Sequence, residues 1–197
     1  DSVLQAKDDA GQADAGASAS GYPSFALSPE EGLGRLEFSS DSADFFSEDG
    51  TVGIGASGRL RGVVLHDILS EVIVPEDLDS AVEASFAAGS IGSEDRDSIL
   101  SMLKERVESA SRLGWFPADR SKVFTESSVI NVDGEVYRPD RVIVDGKKVI
   151  VVDYKFGKEE KKYLRQIGNY ARLYKSMGYP DVEAYLWYVE NDKVVRG

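Results

Sequence analysis

The sequence has no cysteine and no long apolar run. Without cysteine, its 197 residues form neither disulfides nor thiolate metal sites, which is compatible with a reducing cytoplasm. No segment approaches the roughly 18 apolar residues that a membrane-spanning helix needs, and no signal peptide opens the chain. A Gly-x-x-x-x-Gly-Lys-Ser/Thr loop is missing too, which excludes a P-loop motor within this sequence. We therefore expect no membrane partner.

Basic residues are scarce and unevenly distributed. The chain carries 23 Lys and Arg against 35 Asp and Glu, a net charge of −12 that opposes binding to a nucleic-acid backbone. Residues 1–50 hold 11 of the acidic and 2 of the basic side chains, whereas residues 155–175 hold seven basic and two acidic ones. The acidity therefore belongs largely to the beginning of the chain, and a later segment is basic.

The beginning of the chain also differs in composition. Residues 1–32 are rich in Ala, Gly, Ser and Asp, which predicts a linker or disordered tail. Residues 33–197 are expected to form one domain, opening with a short strand and an irregular loop over 33–58. Because the chain begins at Asp1 and not at a methionine, we expect a fragment of a longer protein.

Apolar periodicity predicts four helices. Their approximate ranges are 59–75, 75–89, 93–114 and 159–177. Ser93, which precedes Glu94 and Asp95, is the predicted N-cap of the third helix.

Period-two patterns predict strands in the second half of the chain. Their approximate ranges are 123–130, 135–144, 148–155, 183–189 and a short return strand at 193–195. Asp133-Gly134 and Asp145-Gly146 predict tight turns. The order of helices, three strands, helix and strand predicts an α/β fold with a central mixed β-sheet flanked by helices.

The hairpin over residues 139–155 carries the residues of chemical interest. Asp140 precedes its first apolar run and Asp153 follows its second, so the two carboxylates are expected side by side at one end. Lys155, two residues beyond Asp153, points to the same side. Two carboxylates and an ammonium brought together suit a divalent cation and a phosphate ester.

Simpler interpretations stay open at this point. The Asp and Lys at the end of the hairpin are also explained by a surface ion pair. His66 is the only histidine and lies on an apolar helix face, where a histidine is more often a core residue than a ligand.

Five motifs, taken in order, resemble the RecB-type branch of the PD-(D/E)xK nuclease superfamily. They are Gly62 with His66 on a helix, Glu126 on the first strand, Pro139-Asp140-Arg141 at a strand start, Asp153-Tyr154-Lys155, and Gln166-x-x-x-Tyr170 on the last helix. The last motif separates this branch from the wider superfamily. From Arg59 onward, the chain resembles the C-terminal nuclease region of UvrD/Rep-type bacterial helicase–nucleases.

The resemblance implies a fold and a function. The fold would be a restriction-endonuclease-like core, and the activity that of a metal-dependent deoxyribonuclease of exonuclease type in DNA repair or recombination. Its partners would be DNA and a helicase motor region outside this sequence, in the bacterial cytoplasm. Residues 1–32 would then link the motor to the nuclease domain.

The resemblance also implies roles for particular residues. Mg²⁺ or Mn²⁺ would be bound by His66, Asp140, Asp153 and the backbone carbonyl of Tyr154, with the imidazole favouring Mn²⁺. The ion would activate a water and neutralise the scissile phosphate. Lys155 would orient that water or stabilise the developing charge. Two ions, if both bind, would lie roughly 3.5–4 Å apart.

The remaining motif residues have alternative roles. Glu126 would support Lys155 or the metal ligands, or merely close an ion pair at a strand edge. Gln166 and Tyr170 would contact the DNA backbone, hold the geometry of the site, or only pack their helix on the sheet. Phosphate contacts are expected from four basic residues, namely Lys158, Lys161, Lys162 and Arg165.

Two other functions are compatible with the sequence. One is a catalytically inactive nuclease fold that serves as a DNA-binding or scaffolding module. The other is an unrelated α/β interaction domain in which the hairpin is structural. The nuclease interpretation requires His66 to lie close to both Asp140 and Asp153.

Overall fold

The structure is a computed structural model and describes residues 55–197. These residues form four α-helices, three short 3-10 helices and seven strands. The helices are α1 (Gly55–Glu71), α2 (Leu78–Ala87), α3 (Ser93–Arg112) and α4 (Lys161–Ser176). The strands are β1 (Val123–Thr125), β2 (Val129–Ile130), β3 (Val136–Tyr137), β4 (Arg141–Asp145), β5 (Lys148–Lys155), β6 (Asp181–Tyr188) and β7 (Lys193–Arg196). The predicted linker over 1–32 and the predicted strand and loop up to residue 54 lie outside the described residues. Residues 55–58, predicted as loop, belong instead to α1.

Five of the strands form one mixed sheet in the order β1-β4-β5-β6-β7. Neighbouring strands are antiparallel except β5 and β6, which are parallel and are connected through α4. Parallel neighbours need such a crossover, because a tight turn joins only antiparallel strands. The architecture confirms the predicted α/β fold with a central mixed sheet flanked by helices, and it is consistent with a restriction-endonuclease-like core.

Different helices cover the two faces of the sheet. Helices α1 to α3 pack on one face together with Trp115 and Trp187, and α4 packs on the other. Successive side chains of β5 alternate between the two cores: Ile150, Val152 and Tyr154 face α1 to α3, while Val149 and Val151 face α4. Strand β5 therefore carries its last residues, which include Asp153 and Lys155, into the interior.

The predicted hairpin between β4 and β5 is confirmed. Asp145 pairs with Lys148, so the two loop residues are Gly146 and Lys147. Gly146 has φ of 60° and occupies the first loop position, as glycine does in type II′ turns. Asp145 is therefore the last residue of its strand and is not a loop residue.

Three local predictions were wrong. The single strand over 123–130 is divided into β1 and β2 by Glu126, whose φ of 49° lies in the left-handed region and interrupts the extended backbone. The strand over 135–144 is divided into β3 and β4 at Pro139, which has no N–H for a strand ladder. The N-cap of α3 is Gly92, and Ser93 is the first helical residue.

The β2–β3 hairpin turns at the predicted Asp133-Gly134, where Gly134 has φ of 82°. None of the helices in the described part of the chain combines the length and the apolar composition needed to cross a membrane.

Candidate metal centre

Three side chains that are distant in sequence meet at one end of the sheet. The Nε2 atom of His66 lies 3.2 Å from Oδ1 of Asp140 and 3.3 Å from Oε1 of Glu126. One ligand atom from each of these residues lies within 4.8 Å of the other two. An imidazole and two carboxylates at this separation form a group that could hold a metal ion.

The backbone brings the two carboxylates of this group together. Strand β1 ends at Thr125, which pairs with Arg141 at the start of β4, so Glu126 and Asp140 leave the ladder side by side. The N–H of Glu126 donates to the carbonyl of Asp140 over 3.1 Å. The left-handed backbone at Glu126 ends strand β1 here. His66, the third residue of the group, comes from helix α1, which packs on one face of the sheet.

The two carboxylates control the protonation of His66. Burial alone would lower the pKa of the imidazole, but its hydrogen bonds to Asp140 and Glu126, together with their charges, outweigh burial and raise the pKa from 6.5 to about 11. The imidazole is therefore a cation at neutral pH. It supplies the positive charge that a metal ion would otherwise supply to the same carboxylates.

Asp140 also connects the group to strand β5. Its Oδ2 atom accepts a hydrogen bond of 2.6 Å from the N–H of Tyr154. Because Arg141 pairs with Val152, Asp140 lies beside Asp153 at the end of the hairpin. The side-by-side placement expected from the sequence is therefore present.

Asp153 is not part of the group formed by His66, Glu126 and Asp140. Its Oδ2 atom lies 2.8 Å from Nζ of Lys155, and both side chains are buried, with 1% and 5% of their surface exposed. Strand alternation directs Asp153 and Lys155 towards α4, the face away from α1. The nuclease interpretation requires His66 to lie close to both Asp140 and Asp153. The structure brings His66 to Asp140 only, and Asp153 pairs with Lys155 instead.

Helix α4 holds the chain segment that precedes Asp140. Gln166 donates from Nε2 to the Tyr170 hydroxyl over 3.2 Å, and that hydroxyl donates to the carbonyl of Arg138 over 3.4 Å. Arg138 in turn contacts Glu126 with its side chain, at 2.8 Å between Nε and Oε2. Gln166 and Tyr170 are therefore in a position to fix the loop that carries Asp140.

Arg141 anchors the site to the helical layer, although its side chain is fully buried. Its guanidinium donates to the carbonyls of Val72 (2.7 Å) and Ile73 (2.6 Å), just after α1, and to that of Trp115 (2.6 Å). It also stacks on Phe116, with Cζ 3.8 Å from the ring centroid. The residue next to Asp140 thus ties down the end of the helix that carries His66.

Gly62 lets α1 approach the end of β5. A Cβ atom at this position would lie 3.0 Å from Cβ of Phe156, the residue after Lys155. Such a distance is shorter than ordinary van der Waals contact. The glycine one turn before His66 therefore sets how closely the histidine approaches the carboxylates.

The four basic residues predicted to contact phosphate surround the start of α4. Lys158, Lys161 and Arg165 are exposed, and Lys162 is half-buried with its ammonium 3.2 Å from Glu160. They lie in or just before the first turns of α4, the helix whose Tyr163 contacts Lys155.

Sequence reasoning assigned no role to Arg138 or to the side chain of Arg141. A signal for Arg141 was nevertheless present, because an arginine that opens a buried apolar strand needs several acceptors in the interior. The contact between Arg138 and Glu126 had no sequence signal, since it depends on the strand break at Pro139.

The donor set of the group fits a divalent cation. Carboxylate oxygens suit hard divalent cations, and an imidazole nitrogen is a common ligand of divalent transition metals. A metal that binds His66, Glu126 and Asp140 must displace the proton from the imidazole. No protein-family model and no curated protein matches this sequence.

Proposed function

We propose that this chain is a metal-dependent deoxyribonuclease domain that hydrolyses phosphodiester bonds, with Mg²⁺ or Mn²⁺ as its cofactor. The observation that carries the proposal is that the His66–Glu126–Asp140 group and the buried Asp153–Lys155 pair lie at the same end of the sheet, where Asp140 and Asp153 are neighbours at the end of the hairpin. Buried charged side chains are costly to the fold and are retained most often where they act.

Each residue has a distinct task in this proposal. His66, Glu126 and Asp140 would hold the ion, and Asp153 would join them once its pairing with Lys155 is relaxed. A bound divalent cation would supply an activated water and offset the charge of the scissile phosphate. Lys155 would donate from its ammonium to a phosphate oxygen and stabilise the charge that develops there. The Tyr154 N–H keeps Asp140 oriented through its 2.6 Å hydrogen bond.

The surface near Lys155 supports DNA as the proposed substrate. The exposed Lys158, Lys161 and Arg165 lie on the side of Lys155 and would contact the phosphates of DNA. The chain as a whole is acidic, so such binding would be weak without a tethered motor that delivers the strand. We therefore propose that the domain works within a helicase–nuclease of DNA repair or recombination.

The test is cleavage of end-labelled single- and double-stranded DNA with Mn²⁺, Mg²⁺ or EDTA. We expect cleavage with a divalent ion and none with EDTA. Asp140→Asn should abolish it, and Lys155→Ala should lower kcat about 10²–10³-fold without weakening metal binding. A matched control is Lys148→Ala, at the other end of β5, where the ammonium is 3.0 Å from Glu183. Full activity in Asp140→Asn would refute the assignment, and metal-independent DNA binding without cleavage would favour the inactive module.

A further inference from the structure

The ammonium of Lys155 lies over an aromatic ring as well as beside a carboxylate. Its Nζ atom is 4.3 Å from the centroid of the Tyr163 ring and 2.8 Å from Oδ2 of Asp153. Lys155 is only 5% exposed, so the two contacts act in an environment with little water. The face of an aromatic ring attracts a cation within about 6 Å, and desolvation strengthens this attraction.

The ring and the carboxylate act differently on the ammonium. A carboxylate accepts one of its three N–H donors and competes with any other acceptor for it. The ring attracts the charge through its quadrupole and leaves N–H donors available for another acceptor. A lysine that is released from Asp153 would therefore still be held in place by Tyr163.

The position of Tyr163 is fixed by its own surroundings. It lies in the first turn of α4, and its ring packs against the core on that side of the sheet. Its hydroxyl lies 3.3 Å from Oε1 of Glu160, the residue that precedes the helix. Tyr163 precedes Gln166 by one turn, so the helix that braces the loop before Asp140 also presents the ring to Lys155.

We propose that Tyr163 is a positioning residue for Lys155. Its ring holds the ammonium at the end of β5 while Asp153 exchanges the lysine for the metal ion, so that the charge of Lys155 stays directed at the scissile phosphate. This proposal rests on the proposed nuclease function, but the contact between the two side chains is tested separately below.

Kinetics of two substitutions test the role of the ring. Tyr163→Leu removes the aromatic face and should lower kcat about 30-fold, which corresponds to a buried cation–π contact of about 2 kcal/mol. KM for DNA and the affinity for Mn²⁺ should not change. Tyr163→Phe keeps the ring and should retain wild-type kcat within about twofold. Tyr179→Leu, a half-buried tyrosine that packs against Tyr174, is the matched control and should leave kcat unchanged.

A spectroscopic measurement separates this proposal from the function on which it rests. In carbon–proton NMR spectra of the metal-free chain, the ring current of Tyr163 should shift the ε-methylene protons of Lys155 upfield. The shift should persist in Tyr163→Phe and vanish in Tyr163→Leu. Because this readout needs no catalysis, a wild type without nuclease activity that shows the shift would refute the proposed function and leave the contact established.

Any of three results would overturn the positioning role. One is the absence of the upfield shift in the wild type, which would show that the ring does not contact Lys155. Another is an equal loss of kcat in Tyr163→Phe and Tyr163→Leu, with both variants folded by thermal melting, which would assign the effect to the hydroxyl. A kcat of Tyr163→Leu equal to that of the wild type would also refute it.

Discussion

Metal binding to this site should release a proton from His66. The carboxylates of Asp140 and Glu126 overcome the effect of burial and raise the pKa of the imidazole to about 11, so the ring carries a proton at any ordinary working pH. A metal ion binds only the neutral imidazole. At pH 8, which is three units below this pKa, removing the proton from the imidazole costs about 4 kcal/mol, since each unit corresponds to about 1.36 kcal/mol. The observed free energy of metal binding is weaker by this amount.

The sign of the pH dependence follows directly. Raising the pH lowers the concentration of the competing proton, so the apparent Kd for Mn²⁺ should fall about tenfold per pH unit below the pKa of His66. Between pH 7 and pH 8.5 the affinity should therefore increase about 30-fold. Calorimetry in two buffers with different ionisation enthalpies should show the release of about one proton per ion.

His66→Gln is the control for this experiment, because its amide is polar but does not titrate. Its Mn²⁺ affinity should be lower and should not change over the same pH range, and its binding should release no proton. A wild type that binds Mn²⁺ with a pH-independent affinity and no proton release would refute the reasoning. Such a result would mean that the imidazole either stays outside the metal site or is already neutral in the folded chain.

Two further predictions concern the packing that supports the site. Arg141→Met leaves three carbonyls without their donor, two of them buried and one part-buried, and should lower the free energy of unfolding by about 3–5 kcal/mol in urea titrations. Arg112→Ala removes an exposed ion pair with Glu108 within α3 and should cost under about 0.5 kcal/mol. Similar losses in the two variants would contradict the anchoring role. Gly62→Ala meets Phe156 at 3.0 Å and should weaken Mn²⁺ binding by displacing α1. Gly168→Ala in α4 is the control, because no atom lies within 4 Å of the new Cβ; it should raise the free energy of unfolding by about 0.5–1 kcal/mol and leave Mn²⁺ binding intact. Equal effects of the two alanine substitutions on Mn²⁺ affinity would refute the argument that Gly62 is needed for close approach.

The sequence predicted the elements well where one local signal dominated. The Asp-Gly turn between two β-branched runs identified the hairpin of β4 and β5 and hence the proximity of Asp140 and Asp153. The helical periodicity over 159–177 identified α4, in which Ile167 and Tyr170 are buried. Such patterns depend only on residues that are close together in the sequence, so recognising them needs no knowledge of the tertiary structure.

The strand break at Glu126 was missed because its cause is not local. Glu126 adopts a left-handed backbone where β1 ends beside Asp140, and its N–H donates to the carbonyl of that residue 14 positions later. A glutamate in a strand-like sequence gives no indication of this conformation. The break occurs at a candidate metal ligand, as expected where backbone strain is retained at a functional site.

The sequence predicted only some of the residues that form the candidate site. The motifs placed His66, Glu126 and Asp140 in one candidate site, and the structure brings these three together. An ion pair of Asp153 and Lys155 was among the interpretations that the sequence left open, but it was expected at the surface. The structure has this pair in the interior, because β5 carries both residues into the core. His66 and Lys155 each place a basic group beside a carboxylate, Asp140 and Asp153 respectively.

The most direct test of the account measures DNA cleavage and metal occupancy on the same samples. The cleavage rate is followed across a Mn²⁺ titration while paramagnetic resonance reports the fraction of bound ion, for the wild type and for His66→Ala. The account predicts that rate and occupancy rise together in the wild type and that both are lost in the variant. A site that fills with Mn²⁺ without cleavage, or cleavage that persists in His66→Ala, would contradict it.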